Sequence, residues 1–311
     1  MRIGIGIGQP NPIGDTSSLD LMLDRFKKAE QDGFQSAWMA NIFSLDAITT
    51  LALAGRETRS LELGTFVVPT YPRHPAAIAQ QALTTSLASG GRFTLGVGLS
   101  HRIVIEDMFG LDFSKPIRHM REYLSVLNPL LAGEAARFSG EEYRVAAQLS
   151  VPGAQKPSLI VAALGPQMLK LAGRMADGTA TWMGGPRYLR ETAIPTITAA
   201  ATEAGRPAPR IVSGFPVAVT NMRDEALAAA AKDFANYGQL PSYRAVLDRE
   251  GVEGPGDIAI VGDEATVRAR LKELAEIGVT DLNASAFRVP GDDEVLGRTW
   301  DFLASVARDG L

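Results

Sequence analysis

One stretch of the sequence, residues 61–101, restricts the possible folds more than any other. An apolar run rich in β-branched residues, Leu61–Val68, precedes a proline-broken loop and a helical pattern over Ala76–Ser89, which a pair of glycines ends. A second apolar run, Phe93–Leu99, comes next. A strand, a crossover helix and a second strand at this spacing form a βαβ unit, whose two strands must be parallel. The chain therefore predicts a parallel sheet with its ligand-binding residues at the strand ends.

The alternation of strand and helix continues along the rest of the chain. Isoleucine and glycine alternate with period two near the N-terminus, which predicts a strand rather than the phosphate turn of a dinucleotide-binding fold. Eight strand candidates, each followed by at least one helix, predict one (β/α)8 TIM barrel over residues 1–311. A doubly wound parallel sheet is the alternative, but it would more naturally begin with a glycine-rich turn. The predicted strands are Arg2–Gly8, Phe34–Met39, Leu61–Val68, Phe93–Leu99, Ser158–Ala163, Thr179–Trp182, Ile211–Thr220 and Val279–Phe287.

Two segments interrupt the alternation and predict insertions after strands four and seven. Phe138–Val151 is typical of short extended segments outside the barrel. Leu240–Ile260 contains Pro241 and the run Gly254-Pro255-Gly256, which predicts a mobile insertion. Ser17-x-x-Asp20 predicts the start of the first helix, and Asp263 is expected to cap a later one.

The composition excludes several classes of protein. A formal net charge of −4 with 21% charged residues provides no basic field, which argues against a nucleic-acid partner. The chain has no cysteine, so disulfides, thiolate metal sites and cysteine nucleophiles are excluded. The longest stretch without acidic or basic residues other than histidine, His74–Gly91, contains Gln, Thr and Ser and cannot span a bilayer. We therefore expect a cytoplasmic protein that does not bind membranes.

The predicted strand ends, where barrels of this class bind ligands, carry few ionisable groups. His101 and Arg288 are present, but there is no carboxylate pair, no HExxH metal motif and no GxSxG nucleophile motif. A site with so few acids and bases predicts that a cofactor carries the chemistry. The residues at these ends are Gln9, Asn41, Val67–Tyr71, Ser100-His101, Leu164–Pro166, Trp182-Met183, Thr220 and Phe287-Arg288.

The dipeptide Gly165-Pro166 is the predicted anion site. A glycine followed by proline at the first helical position begins a helix whose free N–H groups can hold a phosphate. An ordinary turn between strand and helix explains the same two residues equally well.

The histidines and Trp182 have distinct expected roles. His101 could donate a hydrogen bond or a proton to a bound ring, or it could cap the next helix. His74, within Arg-His-Pro, is expected to brace its loop, and His119, beside two arginines on a helix, is expected at the surface. Trp182 either forms a wall of the pocket or is purely structural.

Three segments of the chain resemble the luciferase-like flavin and deazaflavin enzymes: LELGTFVVPTYPRHP, SGGRFTLGVGLS and VAALGPQMLKLAGRMADG. The likeness covers nearly the whole chain and is strongest to the branch that uses coenzyme F420, a deazaflavin hydride carrier. The chain is also short beside the FMN-using monooxygenases of this family, which favours F420.

This resemblance implies a barrel with the cofactor ring across the carboxyl ends of its strands. A non-prolyl cis peptide bond would fall near Phe66-Val67, and the cofactor phosphate would rest on Gly165 and its neighbours. Asn41 and His101 would polarise or protonate the substrate. The residues expected to bind the cofactor are Phe66, Val67, Val68, Ser100, Ala163, Leu164, Gly165, Pro166, Thr181 and Trp182.

Two positions depart from the pattern of the family. Asn41-Ile42 stands where several F420 enzymes have Asp-His, and Ser100-His101 stands where sugar-phosphate dehydrogenases of the family have a glutamate. Both differences argue against a sugar-phosphate substrate and leave the identity of the proton donor open.

The leading hypothesis is an F420-dependent oxidoreductase that acts on a small organic substrate, with a homodimer expected from the family likeness. An FMN-dependent luciferase-like monooxygenase is the alternative, and a non-catalytic flavin-binding barrel is the third possibility. A Schiff-base lyase is less favoured, because no lysine lies at a predicted strand end.

Overall fold

Eight parallel strands close into a barrel in the computed structural model, which describes residues 1–8 and 18–311. The ring is complete because the first strand pairs with both the second and the last. An open doubly wound sheet is thereby excluded, and the predicted (β/α)8 TIM barrel is confirmed. The strands are β1 (Arg2–Gly6), β2 (Ser36–Met39), β3 (Glu62–Thr65), β4 (Phe93–Gly98), β5 (Ser158–Ala162), β6 (Gly178–Trp182), β7 (Arg210–Val219) and β8 (Asp281–Ala286).

Strand β3 is interrupted at its carboxyl end. The peptide bond between Phe66 and Val67 is cis, and Val68–Pro69 then continues the strand beside β4. The cis peptide that the family resemblance implied is therefore present at the expected position. The interruption directs residues 66 and 67 toward the barrel interior, where they contact residues of β4 and β7.

Helices surround the barrel and cover the outer faces of its strands. Among the described residues, side-chain caps fix four helix starts: Ser18 accepts from Leu21 N–H, Asp46 from Thr49 N–H, His74 from Ala76 N–H and Asp263 from Thr266 N–H. Ser17, the expected first cap, lies outside the described residues. The helices are α1 (Leu19–Gln31), α2 (Ala47–Glu57), α3 (Pro75–Ala88), α4 (Pro116–Leu131), α5 (Pro166–Met175), α6 (Pro186–Tyr188, continued through the π-helical Leu189–Ala193 into Ile194–Glu203), α7 (Arg223–Asp233), α8 (Pro241–Glu250), α9 (Glu264–Glu276) and α10 (Val295–Asp309).

Two insertions lie where the sequence predicts them. After β4 the chain forms a π-helical segment, Ile103–Met108, and an antiparallel hairpin of Ala136–Ser139 with Arg144–Ala147. After β7 it forms helix α8, flanked by the 3-10 turns Ala235–Gln239 and Pro255–Ile258. Helix α8 was not predicted, because Pro241 suggests a loop, yet proline is equally suited to a first helical turn.

The two faces of strand β1 have different surroundings. Ile3 and Ile5 of β1 are each 1% exposed and pack outward against the helices, within the main hydrophobic core. Burying each such side chain is worth about 1.5–3 kcal/mol. Gly4, between them, faces inward and leaves room for the side chains of Ser36 and Trp38, since a Cβ at Gly4 would lie 2.3 Å from the Ser36 hydroxyl. None of the described helices is both long and apolar enough to cross a membrane.

An ion network closes the amino-terminal end of the barrel. Arg210 donates to Asp281 at 2.7 Å and to Glu62 at 2.8 Å, and Arg2 also bonds both carboxylates. The Asp281 side chain is only 2% exposed. A ligand site that opens into the barrel is therefore expected at the opposite, carboxyl-terminal end.

Candidate functional site

Two glycines of β4 allow the β3 interruption to reach into the barrel. A Cβ at Gly98 would lie 2.6 Å from Cγ2 of Val67 and 3.0 Å from the Cβ of Ala162. A Cβ at Gly96 would lie 2.1 Å from the carbonyl oxygen of Thr65. The period-two glycines therefore permit a close approach, and Val67 is left partly exposed at the mouth of the barrel.

Aromatic rings fill the barrel below this mouth. Trp38 of β2 meets Phe66 edge to face with centroids 6.2 Å apart, and Phe66 meets Trp182 of β6 at 6.4 Å. Gly214 of β7 permits this packing, since a Cβ there would lie 2.6 Å from the Trp182 ring and 2.9 Å from the Phe66 ring. A ligand would therefore bind above these rings, at the carboxyl ends of the strands.

The insertion after β7 extends this aromatic series to His101. The ring of Tyr237 lies 6.2 Å from that of Trp182 and 4.9 Å from that of Tyr243, between centroids. Tyr243 in turn lies 6.0 Å from His101. Neither tyrosine was assigned to the site from the sequence, although Tyr243, within the predicted insertion Leu240–Ile260, was a usable signal.

His101 lies directly after β4 in a setting suited to hydrogen bonding. Burial lowers the pKa of His101 below its ordinary value of 6.5, so the ring is neutral near pH 7. Its backbone carbonyl accepts from Val104 and Ile105, but the ring forms no hydrogen bond with any residue of the two described ranges. The ring is therefore not a helix cap, and its nitrogens are free to bind a ligand.

Backbone strain marks the same end of the barrel. Ser100, next to His101, has φ 62°, and Met183, after β6, has φ 54°. Such left-handed conformations cost a non-glycine residue on the order of 1–3 kcal/mol and persist where the surroundings enforce them. Met183 directly follows β6, and Ser100 lies two residues after the end of β4.

Helix α5 begins with an exposed and uncapped N-terminus. Gly165 provides no side-chain cap, Pro166 occupies the first helical position, and the first turn contains no acidic residue. A Cβ at Gly165 would meet nothing within 4 Å. Free N–H groups at such a terminus, with open space before them, can hold a phosphate. Leu164, the residue before it, is held by Tyr188, whose hydroxyl donates to the Leu164 carbonyl at 2.6 Å.

The predicted site residues do not all face the mouth. Val68 and Ala163 are buried in the outer core, and Thr181 is buried with its hydroxyl 2.9 Å from that of Ser213. Asn41 accepts from Ala47 N–H at 3.0 Å, which anchors its side chain to the start of α2. Gln9 lies outside the described residues. The residues that the structure leaves partly or fully exposed at this end are Asn41, Val67, Ser100, His101, Leu164, Gly165, Pro166 and Trp182.

The prediction that His119 lies at the surface is wrong. His119 is 4% exposed, its Nε2 lies 3.0 Å from the Thr70 hydroxyl, and its ring stacks on Tyr71 with centroids 3.8 Å apart. Burial lowers its pKa to about 4, although Glu122 acts in the opposite direction. A histidine beside two arginines suggests solvent, but its face of α4 is directed at the loop after β3.

A separate cavity of about 330 Å³ lies between α7 and the segment that follows β8. Lys232 and Arg288 line it together with Asp233, Asp292 and Asp293. Its mixture of charges does not select an anion, and its lining shares Arg288 alone with the predicted strand-end residues.

The barrel as a whole has counterparts in known proteins. A family model described as luciferase-like monooxygenase matches residues 1–281. The chain belongs to this luciferase-like family. The expected resemblance is thereby confirmed, and so is the prediction of an oxidoreductase at the level of the family.

Two relatives illustrate the range of the luciferase-like family. An uncharacterized protein of Mycobacterium tuberculosis (strain ATCC 25618 / H37Rv) is 33% identical over 286 residues, which cover 86% of this chain and 78% of the relative. The 5,10-methylenetetrahydromethanopterin reductase of Methanolobus tindarius is 27% identical over 300 residues, which cover 87% of this chain and 91% of the relative.

Solved structures of low sequence identity share the luciferase-like fold. An F420-dependent secondary alcohol dehydrogenase, in complex with an F420-acetone adduct, has a TM-score of 0.79 at 19% identity and covers 98% of this chain and 97% of its own. The oxygenating constituent of 3,6-diketocamphane monooxygenase from Pseudomonas putida, in complex with FMN, has a TM-score of 0.77 at 17% identity. The match covers 100% of this chain and 99% of that protein's chain.

Proposed function

We propose that this luciferase-like protein is an F420-dependent oxidoreductase that transfers a hydride between the deazaflavin and a small organic substrate. The observation that carries the proposal is the open N-terminus of α5 at the same end of the barrel as the Val67 interruption. An anion-binding helix terminus beside an apolar, partly exposed platform suits a ring that bears a phosphate-containing side chain.

The described residues fit this cofactor in two places. The amides that follow Gly165 would bind the phosphate, and Val67 with the rings beneath it would support the deazaflavin. F420, when bound, supplies the hydride-carrying carbon of its ring. The relatives named as methylenetetrahydromethanopterin reductases and the F420-bound dehydrogenase support F420 as the cofactor.

The protein's own residues would bind and polarise the substrate. His101 is neutral near pH 7 and carries both a ring donor and a ring acceptor for a substrate oxygen. Asn41 uses its side-chain oxygen on Ala47 N–H, so its amide nitrogen is the atom left for the substrate. The aromatic side chains of Trp182 and the β7 insertion would exclude water from the reacting atoms.

FMN is the second candidate cofactor, and the FMN-bound monooxygenase of the same fold favours it. The same helix terminus would bind the FMN phosphate, so the geometry alone permits either cofactor, F420 or FMN. We also propose that the substrate is a small organic molecule, that the protein is a homodimer and that the site residues have the roles given above.

Titration of the purified protein with F420 and with FMN, followed by fluorescence quenching, tests the proposal. We expect saturable quenching of F420 at concentrations well below those needed for FMN. Tight binding of FMN without binding of F420 would reject it in favour of the monooxygenase. Binding of F420 without reduction of any tested ketone, enone or imine acceptor would favour a non-catalytic barrel.

A further inference from the structure

A carboxylate of the insertion after β7, residues 235–258, bonds to the start of α6 on the barrel. Glu250, the last residue of α8, accepts the backbone N–H of Tyr188 at 2.7 Å and that of Arg187 at 3.2 Å. These amides lie at the N-terminus of α6, where a helix has unpaired N–H groups and favours a negative charge.

Gly185 shows how close this contact is. A Cβ at Gly185 would lie 2.2 Å from the carboxyl carbon of Glu250, so any larger residue would displace the carboxylate. The backbone of Gly185 has φ −62° and ψ 162°, which every residue can adopt. Glycine is therefore needed here for the approach of Glu250 and not for its conformation.

Tyr188 links the same contact to the anion-binding terminus. Its backbone N–H bonds to Glu250, and its buried hydroxyl donates to the carbonyl of Leu164 at 2.6 Å. Leu164 immediately precedes Gly165, the N-cap of α5. A single residue thus joins the insertion to the loop proposed to hold the phosphate.

The other half of α8 reaches the proposed substrate position. Tyr243 lies in the first turn of α8, and Val246 and Leu247 bury the inner face of that helix. With Glu250 fixed at its C-terminus, α8 holds the Tyr243 ring 6.0 Å from the His101 ring. Burial alone lowers the pKa of His101, with no contribution from a charged neighbour.

We propose that Glu250 and Tyr243 are positioning residues, which hold the β7 insertion closed over His101 and thereby form one wall of the substrate chamber. Glu250 sets the place of α8, and Tyr243 sets the orientation and solvent exclusion of His101. The effect on catalysis rests on the proposed function, whereas the contact between the insertion and His101 does not.

The titration of His101 in the cofactor-free protein, followed by NMR of its imidazole ring, tests this coupling directly. We expect Glu250→Ala and Tyr243→Ala each to raise the pKa of His101 toward 6.5, because both let water reach the ring. Glu250→Gln retains one acceptor oxygen and is expected to fall between Glu250→Ala and the wild type. Glu253→Ala removes an exposed carboxylate from the same insertion and should leave the titration unchanged.

Limited proteolysis gives an independent readout of closure. Glu250→Ala and Gly185→Ala should both increase the rate of cleavage within residues 235–258 severalfold, while Glu253→Ala should not. An unchanged His101 titration in folded Glu250→Ala, Gly185→Ala and Tyr243→Ala proteins would overturn the proposal. Because these measurements use no cofactor, a failure of F420 to bind would leave them interpretable.

Discussion

Gly98 is the residue at which the packing of the candidate site can be tested most simply. We predict that Gly98→Ala destabilises the protein by about 1–3 kcal/mol, because the new methyl group overlaps Val67, whose branched side chain cannot easily move. The displaced Val67 should also weaken the binding of F420. Urea denaturation and F420 titration measure the two effects.

A second glycine provides the control for this substitution. Gly297 lies exposed in α10, and a Cβ there would meet nothing within 4 Å. Gly297→Ala should therefore stabilise the protein by about 0.5–1 kcal/mol through helix propensity, with unchanged F420 affinity. Equal effects of the two substitutions would mean that Val67 is not confined by Gly98.

His119 predicts a specific dependence of stability on pH. Its pKa is about 4 in the folded protein and about 6.5 in the unfolded chain, so the unfolded chain binds the proton first as the pH falls. The free energy of unfolding should therefore decrease by about 3 kcal/mol between about pH 7 and pH 4 from this residue alone. Urea denaturation across this pH range measures the effect. In His119→Gln the free energy of unfolding should lack this part of the decrease.

His74 supplies the matched control, since it is exposed and caps α3 through its side chain. His74→Asn keeps a capping acceptor and should leave the free energy of unfolding at pH 7 close to that of the wild type. The same slope in wild type and His119→Gln would contradict the buried, neutral state of His119.

Single residues were the least predictable part of the protein. The role of His74 as a brace of its loop followed from Arg-His-Pro, because a cap depends on neighbours in sequence. The burial of His119 could not be foreseen, since it depends on Thr70 and Tyr71, about fifty residues away in the chain. Distant contacts of this kind leave no local pattern.

At the scale of elements, the N-terminus of α5 provides a prediction in which stability and binding change in opposite directions. Gly165→Asp should cap the helix and stabilise the protein by about 0.5–1 kcal/mol, because the position is extended and sterically open. The added carboxylate should nevertheless repel a phosphate and weaken F420 binding at least tenfold. Thermal denaturation and F420 titration follow the two quantities.

Gly165→Asn separates charge from capping. Asparagine caps helices about as well as aspartate but carries no charge, so Gly165→Asn should stabilise the protein by less than Gly165→Asp while F420 affinity falls much less. Equal affinity of wild type and Gly165→Asp for F420 would show that the phosphate binds elsewhere.

Elements with a strong local signal were predictable. Helix α3, Pro75–Ala88, lies within one residue of the helical pattern predicted over Ala76–Ser89, and Gly165-Pro166 begins a helix as expected. The interruption of β3 was expected from family resemblance, since no periodicity in the sequence shows it. Helix α8 was missed, because its low apolar content and flanking glycines and prolines resemble a loop.

For the whole molecule, the ion network at the closed end of the barrel should govern stability and not binding. Arg210→Met leaves Asp281 and Glu62 with Arg2 as their remaining cationic partner, and we expect a loss of about 3–5 kcal/mol in the free energy of unfolding. F420 affinity should be unchanged, because the network lies at the opposite end of the barrel. Arg174→Met breaks an exposed pair with Glu203 and should cost less than about 1 kcal/mol.

The network also adds to acid sensitivity. Burial alone would raise the pKa of Glu62, but attraction to Arg210 and Arg2 outweighs it and lowers that pKa below the ordinary value. The unfolded chain therefore takes up this proton first, and the stabilisation is lost as the pH falls below about 4.5. In Arg210→Met the folded pKa of Glu62 should rise toward its unfolded value, so this part of the loss should become smaller. An unchanged slope of the free energy of unfolding against pH below about 4.5 would contradict the coupling.

The whole fold was the most predictable level, because alternating strands and helices of suitable length allow few closed arrangements. Eight strand candidates without a glycine-rich first turn favoured a barrel, and the pairing of β1 with β8 establishes it. The candidate site was predictable only to the level of the strand ends. Which side chains face the mouth depends on register and on the path of the β7 insertion.

A crystal structure of the protein with F420 bound tests the central claim most directly, because it locates both the ring and the phosphate. We predict the phosphate on the backbone amides that follow Gly165 and the ring against Val67, beneath His101. A phosphate in the cavity lined by Lys232 and Arg288, or a ring away from the carboxyl ends of the strands, would contradict the account.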